Sequence, residues 1–166
     1  ARRRRQEEGQ VSVDPLSRMD LQAKARPKPG RIEAYWFENA HVGLPLTRFH
    51  RIGQPFEPFD SGLDWVEQPE ETGLMVDWIH LDLEDPSALD GILLANDKPE
   101  GLEATIYIGA AHNWVHLHQL RLSHLDGARF EVELRATVEY ETEGIGQNEP
   151  FAFRTEATYA SELSAS

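Results

Sequence analysis

Hydrophobic and polar residues alternate most regularly near the C-terminal end of the chain. Phe130, Val132, Leu134, Ala136, Val138 and Tyr140 alternate with Glu131, Glu133, Arg135, Thr137, Glu139 and Glu141. A period of two held over twelve residues predicts a strand with one face on a core and one in water. Phe151, Phe153, Thr155, Ala157 and Tyr159 repeat the pattern within 149–159. Residues 103–109 (EATIYIG) and 114–122 (WVHLHQLRL) read as two further strands. Asp126-Gly127 and Gly144-Ile145-Gly146 supply short turns, so these four strands pair sequentially as an antiparallel meander.

Upstream, residues 32–37 (IEAYWF) and 74–83 (LMVDWIHLDL) read as strands. Between them, Pro45, Pro55, Pro58 and Pro69 break long elements, while Phe49, Ile52, Phe56, Phe59, Leu63 and Trp65 demand burial. Loops and short strands are expected there. Asp85-Pro86-Ser87 predicts a short helix or turn, and Asn96 to Gly101 carries turn chemistry. The expected fold is mainly β: an antiparallel sandwich or partly open roll, in which the N-terminal strands and the aromatic-rich segment cover one face of the meander.

Residues 1–30 look different. They lack aromatic residues and end in Arg26-Pro27-Lys28-Pro29-Gly30, so they read as a flexible basic tail, with one possible short helix over 14–25. The domain is then 31–163. The missing initiator Met suggests a longer or processed chain. Charge sharpens this division. Eight basic against four acidic side chains give the tail +4, which leaves −17 on the rest of a chain whose total is −13. So acidic a surface repels nucleic acid and anionic membranes and steers cationic partners.

The chain has no Cys, which excludes disulfides, thiol nucleophiles and Cys-ligated metals. No apolar run approaches a membrane span, and no apolar stretch follows Arg2 to Arg5 as a signal peptide requires. A cytosolic location is expected. There is no G-x-S-x-G, H-E-x-x-H, Walker or dinucleotide-binding pattern.

Two residue sets could carry function. His116 and His118 share a strand face with Trp114, Leu120 and Leu122, if the alternation is unbroken. With His112 or His124 as a third ligand they could hold zinc or iron and serve a metal-dependent β-fold enzyme. The pair resembles the strand His-x-His of cupin metal sites, with Gly109 upstream. The chain departs from that pattern after His118, where Leu120-Arg121-Leu122-Ser123 stand and the expected Glu is missing.

The second set is acidic: Glu131, Glu133, Glu139, Glu141 and Glu143, with Asp60 and Asp64 as a separate patch. Such carboxylates suit a basic protein partner. Bacterial immunity proteins that inhibit basic toxins are similar in this bulk character. The expected function is therefore a non-enzymatic protein-binding module of that immunity type. The alternatives are the metal enzyme and an accessory subunit that docks through its Arg-rich tail.

Overall fold

The structure is a computed structural model and describes residues 18–96 and 101–160. Eight strands follow one another: β1 (Gly30–Asn39), β2 (Leu44–Pro55), β3 (Gly73–Ile79), β4 (Leu93–Leu94), β5 (Glu103–Ile108), β6 (Ala111–Asp126), β7 (Arg129–Glu139) and β8 (Glu149–Tyr159). Two four-residue helices accompany them, α1 (Leu21–Lys24) and α2 (Tyr140–Glu143). None of the helices among the described residues is long and apolar enough to cross a membrane.

The expected meander is β5 to β8, and its strands pair sequentially and antiparallel. The expected sandwich or open roll is corrected. The N-terminal strands do not form a second layer; they continue the same sheet, in the order β1-β2-β3-β5-β6-β7-β8, until β8 meets β1. The result is a closed seven-stranded barrel. Seven strands joined antiparallel cannot close with every pair antiparallel, because an odd ring must hold one parallel pair. That pair is β1 with β8, in register Gly30↔Ala157 to Ile32↔Tyr159. Alternation could not distinguish the two folds, since an apolar strand face serves equally against a second sheet or around a barrel axis.

Inward positions are filled by side chains. Ile32 of β1 joins Ile52, Val76, Ile106, Val115, Leu134 and Phe151 from the other strands in one core, all at most 2% exposed. Barrels of this size are just wide enough for their own side chains.

Strand β6 contains a bulge. Leu117 pairs with Ala136 and Gln119 with Arg135, which leaves His118 as an extra residue. The inward face therefore switches from Asn113, Val115 and Leu117 to Leu120 and Leu122. Trp114, His116, His118, Leu120 and Leu122 do not share one face, contrary to the unbroken alternation.

The expected tail boundary also moves. Met19 and Leu21 are buried in the core with Ala25, so the folded unit begins before Arg31. Residues 1–17, including Arg2 to Arg5 and the first part of the expected helix, lie outside those described, as do 97–100 of the expected turn. Two side chains explain why this segment holds. The Glu149 carboxylate accepts the Asp20 and Leu21 N–H groups at 3.1 and 2.6 Å, capping α1 from across the fold. The Gln22 carboxamide takes both the N–H and the carbonyl of Ala152 at 2.8 Å, standing in for a ladder neighbour of β8.

In the segment between the first two expected strands, Leu44–Pro55 forms one twelve-residue strand. Residues 56–72 form a loop over the end of the barrel where β2, β5 and β7 finish and β3, β6 and β8 begin.

Candidate functional site

The acidic residues on β7 divide into two groups. Glu131 and Glu133 face outward and meet Arg154 of β8 at 3.7 and 3.1 Å. Glu156 beside them is bridged to Arg129 at 2.9 Å. Exposed pairs of this kind add little stability, but they neutralise the face. Glu131 and Glu133 therefore belong to a face of mixed charge.

Glu139, at the end of β7, and Glu141 and Glu143, on α2, lie at the end of the barrel covered by loop 56–72. Three hydrogen bonds that involve a side chain help fasten the loop there. The Trp65 indole N–H donates to the Gly109 carbonyl at 3.1 Å, and the Gly109 N–H donates to Glu70 Oε1 at 2.9 Å. The Lys24 ammonium donates to the Ser61 carbonyl at 3.2 Å. Gly109 has φ 65°, and a Cβ there would come within 2.7 Å of Leu63 and 3.4 Å of Ile145, the residue that follows α2 by two positions. Only glycine suits this left-handed, crowded turn.

The two acidic patches that looked separate along the chain thus share one end of the barrel. Asp60 and Asp64 come with the loop, and Asp60 also accepts the Gly62 N–H at 2.7 Å. The loop adds Glu67, Glu70 and Glu71, which the sequence reading did not single out. These three line a hollow of about 580 Å³ with Val66, Tyr107 and Ala110. Their signal was spacing from Pro69 alone, which carries no periodicity.

Beneath this end lies Tyr140, fully buried, with no hydrogen-bond partner for its hydroxyl among the described residues. Burial first, and then the nearby Glu149 and Glu70 carboxylates, push its ionisation well above the ordinary tyrosine range. Because the folded value is raised, the associated stability is fully present below pH ~10 and is lost as pH rises above it, by about 1.4 kcal/mol per pH unit for one proton. Tyr140→Phe should be neutral or stabilising at pH 7, by up to about 1–2 kcal/mol, since an unpaired buried hydroxyl is removed. It should also flatten the alkaline loss. Urea unfolding of both proteins at successive pH values above neutrality checks this; an equally steep loss in the variant would refute it.

The histidines do not assemble. The His116 and His118 rings lie 4.6 Å apart, and His118 Nε2 hydrogen-bonds Thr137 Oγ1 at 2.7 Å. His112 is four residues from His116 along the strand, about 13 Å at strand rise, and packs on Tyr107. His124 contacts the Gly127 carbonyl at the far end of the strand. Two imidazoles come together, short of the three or four protein ligands zinc uses. Among the described residues no group of three or more His, Asp or Glu could hold a metal ion.

A third region is the outer face of β1 to β3. Tyr35, Phe37 and Phe49 surround Trp78, with ring centroids 5.0 to 6.2 Å from it. Trp78 has φ 56°, a strained value for an aromatic residue, at a register shift between β2 and β3. Arg51 stacks over Tyr35 at 4.7 Å and bridges Asp77 at 2.9 Å. Burial, and then the hydrogen bond to Asp77, raise the Tyr35 ionisation far above its ordinary value. The phenol stays neutral near pH 7 and donates to Asp77, which also bridges Arg51. Comparison with known protein families, curated proteins and solved structures finds no match for this chain.

Proposed function

We propose that this chain is a non-enzymatic protein-binding module that captures a basic protein on the acidic end of its barrel. In its finer form the reading is an immunity-type inhibitor that covers the basic active surface of a bacterial toxin. One observation supports it above the others. Loop 56–72, the end of β7 and α2 bring Asp60, Asp64, Glu67, Glu70, Glu71, Glu139, Glu141 and Glu143 to one end, whereas Glu131 and Glu133 are paired with Arg154. Clustered carboxylates raise the rate of encounter with a cationic surface and fix its orientation. The hollow between Glu67, Glu70 and Glu71 offers a lysine or arginine side chain a partly desolvated seat.

The test places a photo-crosslinking amino acid at Glu67, Glu141, Glu131 or Thr158, one at a time, in the native cell. The expected result is a discrete adduct with a protein of basic isoelectric point at Glu67 and Glu141, lost in about 0.5 M salt, where screening is strong. Equal adducts at all four positions, or none at Glu67 and Glu141, would contradict the proposal.

A further inference from the structure

Below the aromatic group, the outer face of β1 to β3 opens into a second hollow, of about 440 Å³. Its floor is the backbone of Gly53 and Gly73, and Pro29, Pro55 and Met75 wall it. Arg31, Glu33 and Arg51 also line it. The volume is within the range of small-molecule sites, ~300–1,000 Å³.

The two floor glycines have different reasons to be there. At Gly73 a Cβ would collide with Gln54 O and Pro55 Cα, so close backbone approach demands glycine. Gly53 has no such reason. It sits inside β2, paired with Arg31 and Met75, and its φ is not positive. A Cβ there would meet only Met75 Cε, at 3.7 Å, an ordinary contact. Glycine inside a strand costs roughly 0.5–1 kcal/mol and often marks a place where something approaches the backbone closely. No crowding or positive φ calls for glycine at this position, and its missing side chain leaves space in the hollow that it lines.

We propose that this hollow is a binding site for an anionic amphiphile, a carboxylate carried on an aliphatic or aromatic body. The body lies on Gly53, Gly73, Met75 and the two prolines. Charge complementarity selects the head. In a domain of strongly negative charge, two basic residues, Arg31 and Arg51, line the hollow with one carboxylate, Glu33, and Lys28 immediately precedes Pro29. Arg31 is two-thirds exposed and held by Glu33 at 3.4 Å, which leaves donors for an entering carboxylate. Arg51 is oriented by Asp77 and by stacking on Tyr35, so its position is set before the ligand arrives. The hollow adjoins loop 56–72 through Pro55, Thr72 and Gly73, but it shares no lining residue with the hollow of the acidic end and does not depend on the proposed protein partner.

The experiment titrates the full chain with decanoate, decylammonium and decanol, following the Met75 methyl group by NMR. Decanoate should give a saturable shift and bind about tenfold or more tighter than the other two, a difference expected of a charge-assisted head contact. Gly53→Val fills the floor with a strand-favouring residue. It should keep or raise the thermal midpoint while losing about tenfold or more in decanoate affinity, because the body loses its seat. Arg31→Gln should abolish the preference for decanoate over decanol. Absence of a saturable shift, equal binding of decylammonium, or unchanged binding by a folded Gly53→Val protein would each overturn the proposal.

Discussion

Deleting His118 should leave the barrel folded, and deleting Val115 should unfold it, although the two residues lie on the same strand. His118 is the extra residue of the β6 bulge, between Leu117↔Ala136 and Gln119↔Arg135. Without it Leu117 still faces in, Gln119 out and Leu120 in, and both flanking registers survive. The cost is the local bend and an exposed hydrogen bond to Thr137, about 1 kcal/mol. Removing Val115 has the opposite effect. Regular pairing downstream then requires His116 and His118 to turn inward and Leu117 outward. Losing two fully buried aliphatic side chains costs about 2–5 kcal/mol for the leucine alone, and each unpaired imidazole about 1–3 more. That approaches or exceeds the whole stability of a typical domain, ~5–15 kcal/mol. Circular dichroism and urea unfolding of the two deletions decide the matter. Comparable damage from both would mean that β6 carries no bulge at His118.

Glu149→Ala should cost about 2–4 kcal/mol, more than any substitution among the outward glutamates of β7. Its carboxylate is buried and accepts two backbone N–H groups at the start of α1. Hydrogen bonds to a charged group are worth about 1.5–3 kcal/mol, and their loss leaves buried donors unsatisfied. The damage should begin locally. Leu21, fully buried, and the Gln22–Ala152 pair depend on α1 staying in place. Hydrogen exchange should show loss of protection at Asp20, Leu21 and Ala152 before the central strands. Glu149→Gln, which keeps one strong acceptor, should recover part of the loss. An unchanged midpoint in Glu149→Ala would refute the capping role.

The residues that announced themselves in the sequence were those with long, unbroken alternation. β7 and β8 are read directly from Phe130 to Val138 and from Phe151 to Tyr159, because one face of each packs on the core. The closure of the sheet was not legible, since Ile32 and Ala34 would alternate in the same way against a second sheet. The β6 bulge was hidden for a related reason: His116 and His118 fit an alternation that Leu120 and Leu122 continue along the sequence. Met19, Leu21 and Ala25 were concealed by their polar and basic neighbours, and their anchor, Glu149, lies more than 120 residues away. For the acidic end, Glu139, Glu141 and Glu143 and the pair Asp60 and Asp64 were visible as separate patches. Their union required the contacts of Trp65 and Glu70 with Gly109, which no local pattern encodes.

The claim that the acidic end is the docking surface is tested most directly by NMR titration with a short peptide rich in Lys and Arg. The account predicts that amide shifts concentrate on residues 64–71, Tyr107 and Glu139 to Glu143. It also predicts that joint replacement of Glu139, Glu141 and Glu143 by Lys weakens binding by about tenfold or more. Shifts centred instead on Glu131, Glu133 and Arg154, or spread evenly over the barrel, would contradict it.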